Sequence, residues 1–296
     1  MNVINTIINS AESSISLNEF GIIPNEETKI NYNSISETSK NDWGKDIYNH
    51  KILQYLIIKS LHNKEYIGTS YGGWFIPRNI LDKNSVCYSA GFTKDGSFEL
   101  ELNIEYNCKT YIFDPLPNAY NDYQKFISFI EKRENINEGV DNYDFWNNIL
   151  TECKFLYSEC IMTEKLNFIK YGIYDSDTNI TLHKSDESLT YVEVKEMYSI
   201  MHLLKHNKVD LLKLSVGDNA CRILHNILTN GIYPKILCIE FCEFTKLDNT
   251  SIQMDAEDYF EKLKTFCKII DMLSFNGYKL LDDSRKGKMT FVSKFC

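Results

Sequence analysis

The sequence predicts an α/β domain built on one mostly parallel sheet with helices on both faces. Three observations carry this. Short apolar runs alternate with helical patterns along most of the chain, the order that produces parallel strands joined by crossover helices. The runs at 86–91, 110–114, 209–214 and 235–241 are rich in apolar residues, as strands buried on both faces are. The last two runs follow each other across a short polar turn, which predicts an antiparallel hairpin and therefore one reversed strand at the end of the sheet.

The elements follow in order. Residues 1–45 are rich in Asn, Ser, Glu and Thr and read as an accessory segment. Ile47, Ile52, Leu53, Leu56, Ile57 and Leu61 give 45–62 the spacing of an amphipathic helix. Residues 86–91 form a strand that ends on Gly91. Residues 97–106 combine alternating apolar positions with a glutamate-rich, helix-favouring composition, and their place between two strands predicts a helix. Residues 110–114 form the second strand, closed by Pro115, which cannot donate to a ladder. A helix is expected through 120–133 and a polar loop at 134–144. Strand-like pieces at 168–170 and 180–182 flank a turn at 174–177. Val194, Met197, Ile200, Met201 and Leu204 predict a helix over 194–206. A strand at 209–214, a helix at 219–228 closed by Asn230-Gly231, and a strand at 235–241 come next. A helix at 256–273 leads to the hairpin strands 278–281 and 289–295.

The chain has 296 residues, 43% of them hydrophobic, enough to build a sizeable core. A net charge of -9 argues against a nucleic-acid partner, because gripping phosphates needs a positive field; a local basic patch remains compatible with it. No apolar run approaches the roughly 20 residues of a membrane span, and the N-terminus has no basic segment leading into an apolar one. A soluble, cytoplasmic protein with no membrane partner is expected. The nine cysteines are scattered, with no CxxC pair, and read as reduced thiols acting as small hydrophobes.

Ligands of such sheets bind beyond the carboxyl ends of the strands, where the strand order reverses. Gly91 at the end of the first strand lets backbone approach a ligand. Asp95 can cap the next helix or accept a ligand hydrogen bond. Asp114, at the end of the second strand, stands where an acidic side chain can hold ribose hydroxyls.

In this order, Tyr71-Gly72-Gly73-Trp74 through Pro77, Val86 through Gly91, Asp95, Ser97-Phe98, and Phe113-Asp114-Pro115-Leu116-Pro117 resemble the FkbM-type methyltransferases of class I. The resemblance resumes at Tyr171-Gly172-Ile173-Tyr174, Ser199-Ile200-Met201 and His206. It continues through Asp210-Leu211-Leu212-Lys213-Leu214 to Ile239-Glu240-Phe241. It implies a Rossmann-like sheet of seven strands with an antiparallel last strand, spanning 66–296 behind a helical accessory segment at 1–65. It implies S-adenosylmethionine as cofactor, with Gly91, Phe92, Thr93 and Asp95 in the methionine-binding loop, Asp114 on the ribose and Ser215 beside them. Methyl transfer to a hydroxyl of a sugar, glycan or other small acceptor follows from it.

Three positions depart from the family pattern. Thr93 replaces the second glycine of the loop. Ser215 and Gly217 replace two acidic residues, leaving Asp218 one position along. Cys242 replaces a histidine after Glu240-Phe241. Asp218 and Glu240 are then the candidate catalytic carboxylates, and no metal site is expected. The alternative is a catalytically inactive methyltransferase fold serving as a binding or scaffolding module.

Other residues have simpler readings. His202 and His206 are four apart but lack a third ligand, so a surface or capping role is favoured. Cys238 and Cys242 fit core packing. The aromatic run 71–75 suits either packing over the sheet edge or a lid. Glu99, Glu101 and Glu105 read as a solvated helix face.

Overall fold

The computed structural model describes residues 63–131, 152, 165–183, 189–241, 256–283 and 287–294, all within one compact unit. The expected accessory segment (save its last three residues), the loop 134–144 and Cys242 lie outside them.

The chain begins with a hairpin, β1 (Lys64–Ile67) and β2 (Trp74–Pro77). Then come β3 (Val86–Ala90), α1 (Ser97–Tyr106), β4 (Lys109–Phe113), α2 (Pro117–Glu131) and β5 (Leu166–Ile169). A small sheet follows from β6 (Gly172–Tyr174), β7 (Thr178–His183) and β8 (Leu189–Glu196), leading into α3 (Met197–Leu203). The second half runs β9 (Leu211–Leu214), α4 (Ala220–Thr229), β10 (Ile236–Glu240), α5 (Ala256–Phe275), β11 (Tyr278–Asp283) and β12 (Lys288–Ser293).

The main sheet has seven strands in the order β11-β12-β10-β9-β3-β4-β5. β3, β4, β5, β9 and β10 pair in parallel, and β12 is antiparallel to both β10 and β11. This is the sheet the family resemblance implies. One detail differs from a reversed strand at the edge: β12 is inserted between β10 and β11, so the edge strand is β11 and runs with the rest. A hairpin inserted into a parallel sheet must place one of its arms this way.

Both faces are covered. On one, Tyr88, Phe113, Leu212, Leu214, Leu237 and Ile239 pack with α4 and α5 residues such as Ile223, Leu224, Ile269 and Leu273. On the other, Cys87, Leu211, Ile236 and Cys238 meet Phe98 and Leu102 of α1 and Trp74 and Ile76 of β2. Burying a side chain of the Leu or Phe class stabilises by roughly 1.5–3 kcal/mol, so these two layers supply most of the driving force. Cys87, Cys108, Cys238 and Cys267 are free thiols in or beside these layers, and Cys221 is buried in the first of them.

Two expectations change. The helix expected over 194–206 is only α3, because β8 extends to Glu196. Val192 and Val194 alternate inward and pair with Ile180 and Thr178 of β7. Val194 precedes Met197 and Ile200 at helical spacing only because strand runs directly into helix. Glu99 and Glu101 are not solvated but buried, at 0% and 2% exposure. Each has a polar partner inside: Glu99 takes Lys213 and Ser89, and Glu101 accepts the Gly68 N–H at 2.6 Å. Glu105 is exposed, as expected.

Candidate functional site

The chain leaves β3 outward to β4 and β5 and returns beside β3 as β9, so the strand order reverses between β3 and β9. Their carboxyl ends form the candidate site. The Ser215 N–H donates to the Ala90 carbonyl at 2.9 Å, and the Gly91 N–H to the Phe113 carbonyl at 2.9 Å. Three strand ends are thereby fixed together.

Gly91 has φ +83°, and a Cβ there would run into the Ser215 carbonyl oxygen. Only glycine satisfies both the left-handed backbone and the close crossing. The glycine is thus accounted for by the close crossing of this loop over Ser215.

Asp114 follows β4 and is 6% exposed. Its carboxylate accepts the Phe92 N–H at 2.8 Å and the Leu116 N–H at 2.9 Å, one on each oxygen. Burial pushes its pKa up, opposed by those two N–H groups and by the nearby Lys213 ammonium. A carboxylate offers about four acceptor sites, so two lone pairs remain for a diol after the loop is satisfied. Asp114 therefore shapes the loop after β3 and keeps capacity for a ribose.

The other loop residues separate. The Phe92 ring is buried against Tyr123, Phe126 and Phe168, so its side chain serves the α2 core while its backbone N–H serves Asp114. Thr93 is exposed on the loop. Asp95 is buried, accepting hydrogen bonds from the Thr69 hydroxyl and from the Ser97 N–H, the latter at 2.9 Å. It thus satisfies the first N–H of α1 from the residue before its N-cap and ties the helix to the turn of the β1–β2 hairpin. A Cβ on Gly72 would lie 2.7 Å from the Asp95 carboxyl carbon, which accounts for the glycine in that turn.

On the other side of Gly91, Ser215 is partly exposed and Gly217 has φ +62° with open space around it. Asp218 is exposed and pairs with Lys262 of α5 at 3.8 Å. Glu240 ends β10, level with Ser215 and in register with Lys288 of β12. Gly91, Ser215, Glu240 and Lys288 thus form one row across four adjacent strands. At about 4.8 Å per strand, Glu240 stands about 10 Å from Gly91.

Beneath this row lies a charged network that sequence reasoning missed. Lys213 Nζ is 2.8 Å from Glu99 Oε1, which also accepts the Ser89 hydroxyl at 2.6 Å. Lys288 Nζ donates to the Tyr71 carbonyl at 2.8 Å and sits 5.1 Å from the Trp74 ring. Burial lowers the Lys288 pKa, opposed by the field of Glu240. A lysine inside the apolar run Leu211-Leu212-Lys213-Leu214 was the available signal, since a buried charge demands a partner. Of the aromatic run, Trp74 is buried in the core and Tyr71 is exposed at the hairpin turn.

His206 meets the Tyr88 hydroxyl at 2.7 Å through Nδ1. Burial lowers its pKa, helped by Lys109, so it is neutral near pH 7. His202 is exposed on α3. Among the described residues no cluster of three His, Cys, Asp or Glu side chains could hold a metal. No described helix is long and apolar enough to cross a membrane.

No family model and no curated protein matches the chain. Among solved structures, a Streptococcus thermophilus rRNA methylase is similar at 10% identity and TM-score 0.35, over 72% of this chain and 87% of that one. The Methanococcus jannaschii fibrillarin pre-rRNA processing protein is similar at 10% identity and TM-score 0.34, over 80% and 86%. A Podospora anserina methyltransferase bound to S-adenosylhomocysteine is similar at 9% identity and TM-score 0.35, over 71% of each chain. Two of these proteins are described by their relation to rRNA, so they lend no support to a sugar acceptor or to excluding nucleic acid.

Proposed function

We propose that this chain is an S-adenosylmethionine-dependent methyltransferase acting on a hydroxyl of a sugar or other small acceptor. The observation that supports it is the joining of Gly91, Asp114 and Ser215 at the reversal point of a seven-stranded sheet whose β12 is reversed. Gly91 lets the loop after β3 pack directly on Ser215, and Asp114 has lone pairs left for ribose hydroxyls. A bound sulfonium cofactor supplies an activated methyl group, so the protein has mainly to position the acceptor oxygen and take its proton. Glu240, next in the row beyond Ser215, is the carboxylate we assign to that proton. Asp218 is turned toward Lys262 and has the weaker claim.

A second reading, a cofactor-binding fold without turnover, is favoured by the replacement of two acidic positions by Ser215 and Gly217. Calorimetry and transfer of labelled methyl separate the readings. The leading one expects S-adenosylmethionine and S-adenosylhomocysteine to bind with Kd below about 1 mM. Asp114→Ala should weaken both more than tenfold without unfolding the protein. Label should then pass from the cofactor to an oligosaccharide in a reaction that Glu240→Gln suppresses. Binding without transfer to oligosaccharide or RNA would favour the second reading, transfer to RNA alone would replace the acceptor, and absence of binding would sink both.

A further inference from the structure

The two ends of the main sheet differ in make-up. At the carboxyl edge acids stand among cations: Asp218 pairs with Lys262, Asp282 with Lys64, and Glu240 lies in register with Lys288. At the amino edge, each of the six co-directional strands is entered through a lysine within three residues of its start. Lys83 precedes β3, Lys109 opens β4, Lys165 precedes β5, Lys208 precedes β9, Lys235 precedes β10 and Lys279 is the second residue of β11. The reversed β12 ends at this same edge and is followed by Lys294. Seven strands at about 4.8 Å spacing make this a row about 29 Å long.

Acids in the same described segments offset part of the row. Asp82 accepts the Asn84 N–H at 2.8 Å and keeps its charge, and Glu105 is exposed four residues before Lys109. Asp210 is buried, 3.2 Å from Lys208 and 3.1 Å from Lys235. The lysines of the row still outnumber these acids. Lys165 is held by the main-chain and side-chain oxygens of Asn107, which leave its charge intact.

Beside the row is a groove of about 560 Å³ between α3, the segment before β9 and the end of α4. Tyr198 and Tyr233 line it at 62% and 50% exposure, together with His206 and Lys208. This volume is within the usual range for small-ligand sites. Tyrosine faces beside a lysine row are the combination that holds unpaired bases and their phosphates.

We propose that the amino edge of the sheet binds single-stranded nucleic acid, on the face of the molecule opposite the Gly91–Asp114 site. The net charge of -9 weighs against nucleic acid for the molecule as a whole, but it is a sum over distant groups. Charges more than about 8–10 Å away are screened at physiological salt, so the phosphates feel the local row. Exposed tyrosine rings beside lysines offer both a stacking face and a phosphate contact, the pairing that an unpaired base and its backbone need. The inference does not depend on cofactor binding at the other edge.

The test uses the full chain and fluorescence anisotropy with labelled oligouridylate of about twenty nucleotides. Binding is expected to weaken steeply between about 50 and 200 mM salt, with a log–log slope near −3 for four or five neutralised phosphates. Oligothymidylate should behave alike. The variant K109Q/K165Q/K235Q/K279Q should bind more than tenfold more weakly, and K170Q/K268Q should bind as wild type. Y198A/Y233A should weaken binding while leaving the salt slope unchanged, which keeps the test decisive if the quadruple variant misfolds. No binding at about 50 mM salt, or equal binding by the quadruple variant in its folded form, overturns the proposal. So does polyglutamate or a phosphatidylserine vesicle binding as tightly as oligouridylate.

Discussion

At the scale of single residues, the site depends on groups that leave little freedom of choice. Gly91→Ala places a methyl group against the Ser215 carbonyl on a left-handed backbone. The two costs together come to roughly 2–4 kcal/mol, so a clear fall in the urea midpoint is expected. The buried pair Lys213–Glu99 makes a different kind of statement. Glu99→Ala leaves an ammonium without its counter-charge and should cost roughly 3–5 kcal/mol, whereas the double variant E99M/K213M should recover much of that loss. Denaturant titration of the three variants checks it; an additive double variant would contradict the pairing. Gly91 and Asp114 were legible in the sequence because strand ends expose them to a positional argument. Glu99 and Glu101 were not. Their partners, Lys213 and the Gly68 N–H, come from other elements, and composition alone makes a run of glutamates look solvated.

At the scale of elements, the β1–β2 hairpin is fastened at its turn by a few polar contacts. Thr69 accepts the Gly72 N–H at 3.1 Å and donates to Asp95. Thr69→Ala deprives a buried carboxylate of a donor and should destabilise by about 1–3 kcal/mol, with Thr69→Ser restoring most of it. The amino edge has a comparable fastening in Asp210. Burial alone would raise its pKa, yet the Val86 N–H and the Lys235 and Lys208 ammoniums hold it below the ordinary carboxylate value. A depressed pKa contributes stability above the ordinary value, and that contribution is lost as pH falls through the folded one. Wild type should therefore exceed Asp210→Asn in urea midpoint at pH 7, and the gap should close in acid as pH falls below the ordinary carboxylate range. β3, β4, β9, β10 and α5 were legible from their apolar patterns. β1, β2 and β8 were not: β1 is mixed in polarity, β2 lies within an aromatic run open to other readings, and β8 runs into α3 without a turn.

At the scale of the whole molecule, one sheet supports two edges of different make-up. The carboxyl edge mixes acids with Lys288, Lys262 and Lys64, while the amino edge presents a lysine with each incoming strand. The alternation of strand and helix made the sheet readable in advance. The lysine row was hidden, because it exists only once the strands are laid side by side, and an overall charge of -9 conceals it. The central claim concerns the carboxyl edge, and a crystal structure of the full chain with S-adenosylhomocysteine tests it most directly. The account predicts the ribose hydroxyls within about 3 Å of the Asp114 carboxylate and the amino-acid portion against the Gly91 backbone. Ligand bound elsewhere at saturation, with the Gly91–Asp114 edge left bare, would contradict it.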